Sequence, residues 1–113
     1  MPSVYLAGFD VFYPDALARG DYLKALCATH GLEGLYPLDA TLPEGLSDPA
    51  GWICQANLDS LRRADAVLAN LGHFRGNEPD SGTVFEVGFA CALGKPVWAY
   101  FPDQQPMIEQ LPR

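Results

Sequence analysis

Glu86 stands where a charged residue is hardest to accommodate. It lies in Asp80-Ser81-Gly82-Thr83-Val84-Phe85-Glu86-Val87-Gly88-Phe89-Ala90-Cys91-Ala92-Leu93-Gly94, which past Thr83 is apolar or small on every side of a helix except at this carboxylate. A helix so apolar is normally buried. A carboxylate carried into a buried segment is costly unless it is paired, hydrogen-bonded or used. Glu86 therefore reads as a working group, with a partnership to Arg75 or a satisfied core carboxylate as the plainer alternatives. Asp80 precedes it where a loop turns into the helix. Asp, Ser and Thr are favoured N-caps, so Asp80, Ser81 and Thr83 could serve as caps alone. The chemical reading adds a ligand whose hydroxyls donate to Asp80 while free N–H groups of the helix start face the same site. The positive end of a helix favours an ionised Glu86. That suits a nucleophile or a base better than an acid.

Tyr5 sits near the carboxyl end of the first apolar run, and its hydroxyl could orient Glu86 or be an ordinary core tyrosine with a satisfied hydroxyl. Phe9, Phe12 and Tyr13 follow that run and could floor a flat ligand, or simply pack. Trp52 allows the same two readings.

These residues need a scaffold that brings them together. Ser3 to Gly8 is a short apolar run ended by glycine, as in a buried strand. Residues 14–30 carry Leu17, Tyr22, Leu23, Leu26 and Cys27 at roughly helical spacing, with Gly31 as C-cap. Leu32 to Leu38 reads as a second strand, and Asp39 to Gly51, with two prolines and two glycines, as a loop. Trp52 to Arg63 is an amphipathic helix opened by Asp48-Pro49. Ala64 to Leu71 is a third strand, Gly72 to Pro79 a loop, and the Glu86 helix ends at Gly94-Lys95-Pro96. Val97 to Phe101 is a fourth strand. Apolar strands alternating with helices predict an open, doubly wound (flavodoxin-like or Rossmann-like) parallel α/β sheet flanked by helices. In such sheets the site lies beyond the carboxyl ends of the strands. Here those ends are Gly8 to Tyr13, Asp39 onward, Asn70 to Asp80, and Pro102 onward.

The 113 residues fit one domain, and a chain that is 49% hydrophobic and 19% charged can build a core. A net charge of −7 argues against a nucleic-acid backbone or an anionic membrane surface as partner. No apolar run approaches the ~18 residues of a membrane span, and no secretion signal opens the chain. Cys27, Cys54 and Cys91 show no Cys-x-x-Cys spacing and read as reduced thiols of a cytoplasmic protein. His30 and His73 are too isolated to make a metal site.

The ordered set Val-Tyr-Leu-Ala-Gly at 4–8, Tyr-Pro-Leu-Asp at 36–39, Asn57, Ala-Asp-Ala-Val-Leu-Ala-Asn-Leu at 64–71, Pro-Asp-Ser-Gly-Thr-Val-Phe-Glu-Val-Gly-Phe-Ala at 79–90 and Leu-Gly-Lys-Pro-Val at 93–97 resembles the nucleoside 2-deoxyribosyltransferase family. The resemblance covers most of the chain. It implies that Glu86 is the nucleophile that attacks the anomeric carbon of a 2′-deoxynucleoside, releasing the base. A second base then captures the covalent deoxyribosyl-enzyme. It implies that Asp80 binds deoxyribose oxygens and that Tyr5 holds the nucleophile. Asn57, Gly8, Phe9, Phe12, Asp39, Ser81 and Gly82 complete the candidate substrate-binding set. The expected partners are a nucleoside and a free nucleobase, with no metal or redox cofactor, in a homodimer or larger homo-oligomer. An oxocarbenium-like centre is stabilised by a nearby carboxylate, and two displacements retain its configuration.

Two departures bear on this resemblance. Some family members carry an aspartate as general acid where Asn57 stands, and asparagine cannot donate a proton as an acid; Asp59 follows two residues on. Members also continue further and place a C-terminal segment in a neighbouring subunit's site. Met107 to Arg113 resembles a clipped version of that segment, with Glu109 as a remaining carboxylate. The alternatives are a hydrolase of 2′-deoxynucleosides or their 5′-monophosphates, with water as acceptor, and a non-catalytic nucleoside-binding module. A phosphate would look to Ser81 and Arg75. A receiver-like signalling domain is disfavoured, since only Asp10 and Asn70 stand where its acidic pair and phosphorylated aspartate belong.

Overall fold

The computed structural model describes residues 1–101 and Glu109. Its strands are β1 (Ser3–Ala7), β2 (Glu33–Leu35), β3 (Ala66–Asn70) and β4 (Val97–Tyr100). They form a parallel sheet in the order β2-β1-β3-β4. Its helices are α1 (Ala16–Thr29), α2 (Pro49–Arg63) and α3 (Ser81–Ala92). The expected open parallel α/β sheet flanked by helices is therefore present. Among the described residues, no helix is long and apolar enough to cross a membrane.

Alternation along each strand sends neighbours to opposite faces. Tyr5, Ala7, Val67 and Ala69 face α2 and α3, packing with Leu61 and Ala90. Val4 and Leu6 face the other way, with Cys27 and Leu23 of α1. The sheet is thus the wall between two small cores. The helices stop where their sequences direct. Gly31 and Gly94 take positive φ just beyond α1 and α3, a conformation that costs glycine little.

Boundaries differ from the pattern in instructive places. The second strand does not run from Leu32 to Leu38. It pairs over Glu33–Leu35 only, and Pro37–Asp39 forms a 3-10 turn. Pro37 has no N–H to give a ladder, and Asp39 accepts the Tyr36 N–H at 2.9 Å, pulling the chain into the turn. Helix α2 begins at Pro49, ahead of Trp52, because the Asp48 side chain caps it by accepting the Gly51 N–H at 3.0 Å. A second 3-10 turn, Phe9–Phe12, follows β1 directly. The tail from Pro102 to Arg113, Glu109 apart, lies outside the described residues, and with it most of the clipped C-terminal segment.

Candidate functional site

A cavity of about 360 Å3 opens beyond the carboxyl end of β1, between the Phe9–Phe12 turn, α2 and the start of α3. That volume falls in the range of small-ligand sites. Gly8, Phe12, Asn57, Asp80, Gly82 and Glu86 all line it. One strand end, the 3-10 turn after it, one helix face and one helix start supply these six, which the doubly wound topology converges on one crevice.

Glu86 is held from one side. Its Oε2 accepts the Tyr5 hydroxyl at 2.7 Å across the interface between β1 and α3. Tyr5 is 0% exposed, so its ring is fixed by the core and its hydroxyl has one direction to point. Burial first, and the charge of Glu86 second, drive the phenol far above its ordinary value, so it remains a donor. Burial likewise raises Glu86, the Tyr5 hydrogen bond pulls it back, and the negative charge of Asp80 adds to the rise. Among the described residues Oε1 accepts no hydrogen bond. One carboxylate oxygen is anchored while the other is left unanchored. Arg75 is not the partner of Glu86. Its guanidinium lies 5.8 Å from the centre of the Phe74 ring.

Asp80 is the N-cap of α3 and more than a cap. Its Oδ2 accepts both the N–H and the hydroxyl of Thr83, each at 2.9 Å. Thr83 is buried. The carboxylate is therefore clamped through one oxygen, and Oδ1, with no donor among the described residues, remains for a ligand on the cavity wall. Capping thus engages one oxygen of Asp80 and leaves the other facing away from the cap.

Other expected residues sit elsewhere. Asp39 does not line the cavity; it caps the Pro37–Asp39 turn and pairs with Lys24. Ser81 begins α3 facing solvent, and Phe9 packs against Tyr13 and Phe74 rather than on the cavity. Asp59 bonds Gln55 and Arg62 on the exposed side of α2, away from the site. Asn57 is thus the polar side chain that α2 offers there. Apolar lining from Ile53, Leu58 and Phe85 was not foreseen. Ala50, Ile53, Cys54 and Asn57 recur every three or four residues, so the stripe leading to Asn57 was a usable signal.

The fold is an open parallel α/β domain whose crevice at the strand ends holds a half-buried carboxylate anchored by one oxygen, with a second carboxylate at the start of the same helix. The family model for nucleoside 2-deoxyribosyltransferase matches residues 4–112, and the chain belongs to that family. A solved 2-desoxiribosyltransferase from Leishmania mexicana is 38% identical with a TM-score of 0.84, covering 96% of this chain and 70% of its own. A conserved protein from Enterococcus faecalis V583 is 25% identical with a TM-score of 0.72, covering 92% of this chain and 65% of its own. The 2-deoxyribosyltransferase of Bacillus psychrosaccharolyticus, at 21% identity and a TM-score of 0.71 over 96% of this chain and 82% of its own, shares the fold. An uncharacterized protein of Schizosaccharomyces pombe is 34% identical over 110 residues, which is 91% of this chain and 51% of that protein. The chain thus spans about half the length of that curated relative.

Proposed function

We propose that this protein transfers a 2-deoxyribosyl group between nucleobases by a retaining double displacement at Glu86. The observation that carries this is the 2.7 Å hydrogen bond from Tyr5 to one Glu86 oxygen, beside Asp80, in a chain of this family. In the first displacement Glu86 Oε1 attacks the anomeric carbon of a 2′-deoxynucleoside. The bond to the base nitrogen breaks, its electron pair leaves with the base, and the base takes up a proton. In the second, the nitrogen of an incoming base attacks the same carbon, expels the carboxylate and gives up a proton. The configuration is retained. Asp80 Oδ1 accepts from the sugar hydroxyls, and Phe12 and Asn57 face the base. Residues 1–113 act as one catalytic domain, with a nucleoside and a free base as substrates, in a homodimer or larger homo-oligomer. Three cysteines without a disulfide agree with a cytoplasmic setting.

The test is a time course with 2′-deoxyinosine and free adenine or cytosine, run beside Glu86→Ala. A new deoxynucleoside that vanishes in the variant supports base exchange through Glu86. Hypoxanthine released without exchange makes the protein a hydrolase. No reaction across deoxynucleosides and their monophosphates leaves a binding module.

A further inference from the structure

Asp10 takes no part in the proposed chemistry and does not line the cavity. Yet it is a charged residue only 8% exposed, and three segments meet on it. It belongs to the Phe9–Phe12 turn. Its Oδ1 accepts from Arg19 Nη1 of α1 at 3.3 Å, and its Oδ2 accepts from Asn70 Nδ2 at the end of β3 at 3.2 Å. Asn70 Oδ1 in turn accepts the Gly72 N–H at 3.0 Å, where the loop leading to Asp80 begins. The two strand ends touch at this point, since a Cβ on Gly8 would lie 2.8 Å from the Asn70 Cβ. Above the link, Phe74 of the same loop rests against Phe9 and Phe12, with ring centres 5.4 and 5.5 Å apart.

We propose that Asp10 is a positioning residue: through Asn70 it fixes the Phe12 wall and the Asp80 loop relative to each other across the cavity. The proposal rests on the proposed function, because those two walls are the ones a nucleoside would span. The polarity of the link is determined. Gly72 holds the Asn70 oxygen, so the Asn70 amide must donate, and position 10 must accept from it and from Arg19 together. An aspartate does both, whereas an asparagine there satisfies one donor and turns its own amide on the other. A buried polar network satisfied in only one arrangement specifies geometry more than it adds stability. Small displacements of binding walls are expensive in turnover.

The experiment compares Asp10→Asn with the exchanged pair Asp10→Asn/Asn70→Asp. In the pair, the new asparagine accepts from Arg19 and donates to the new aspartate, which still receives the Gly72 N–H. Asp10→Asn should raise KM for 2′-deoxyinosine about tenfold, the scale of one hydrogen bond to a charged group. The exchanged pair should return KM to within about threefold of the parent. Calorimetric binding of 2′-deoxyinosine in a Glu86→Ala background should follow the same order. Asn70→Ala cuts the same link while leaving the Asp10–Arg19 pair, and carries the comparison if Asp10→Asn does not fold. A KM that stays put while activity tracks the folded fraction overturns the proposal, as does an exchanged pair no better than the single variant. A parent protein that neither turns over nor binds 2′-deoxyinosine overturns the proposed function as well. A functioning parent with an unaffected Asp10→Asn overturns this proposal alone.

Discussion

The two faces of the sheet are covered unequally. On one, α2 and α3 close over Tyr5, Val67 and Ala69 and leave them without exposed surface. On the other, α1 covers Val4 and Leu6 but does not reach β4, where Trp98, paired in register with Leu68, is 69% exposed. The candidate site belongs to the first face. A carboxylate that must present one oxygen in a fixed direction needs a partner whose own position is fixed. Tyr5 has that because its ring is enclosed on every side, as close-packed interiors require. The same phenol on the α1 face near β4 would have no such support. Tight packing and the candidate site share a face, and the packing aims the Tyr5 hydroxyl at Glu86.

The sharpest way to break this comparison is at Glu86. Glu86→Ala should lose at least about 1,000-fold in kcat with deoxynucleoside and acceptor base, while unfolding cooperatively like the parent. Retained turnover would move the chemistry away from the enclosed face. Packing comes next. Leu61→Ala removes a fully buried side chain beneath the site face, and should cost about 2–5 kcal/mol in denaturant unfolding. A smaller loss would mean this core is less close-packed than its burial indicates.

Tyr5→Phe keeps the ring and deletes the anchor. A hydrogen bond to a charged group is worth about 1.5–3 kcal/mol, so kcat should fall about 10- to 100-fold. The pH profile gives the mechanism. Burial raises Glu86 above the ordinary carboxylate range and Tyr5 lowers it, so without the hydroxyl Glu86 should rise further. Since the ionised form attacks, the acid limb of kcat should stand above ordinary carboxylate values in the parent and move higher in Tyr5→Phe. An acid limb that stays in place would separate Tyr5 from the ionisation of Glu86. Stability must run the opposite way. A carboxyl whose folded-state pKa is raised contributes stability that is present below its unfolded value and lost as pH rises through its folded value. Glu86→Gln should therefore match the parent in acid and exceed it at neutral pH, as read from denaturant midpoints at the two pH values.

The helix of Glu86 was legible because one charge in an apolar run is a conflict that few environments resolve. Asp80 was legible as a cap, and the structure places it both as the cap of α3 and on the cavity wall. Asp39 was expected at the site because of its position at a strand end, and the structure places it off the cavity lining. What decides its role is Lys24, a partner that only the docking of α1 on β2 brings near. The Phe9–Phe12 turn left no periodic trace, since one 3-10 turn is too short for a hydrophobic pattern and is held by Phe74 and Asn70 from distant segments. Local preferences fixed the helices and their caps. Tyr5 and Glu86, 81 residues apart, were paired from sequence, whereas the distant partners of Asp39 and of the Phe9–Phe12 turn became visible only with the fold.

The smallest expected effect tests the other side of the comparison. Trp98→Ser strips the largest exposed side chain from β4, on the face that α1 leaves open. Its neighbour across the strand pair is Leu68, and a cross-strand contact of this kind is worth roughly 0.2–1 kcal/mol. Unfolding free energy should drop by no more than that, with kcat and KM unchanged, because the site lies on the opposite face and its anchor, Tyr5, pairs with Val67 rather than with β4. A loss as large as that of Leu61→Ala would show that this face is covered in solution. The inequality between the two faces would then be a property of the isolated chain rather than of the working protein.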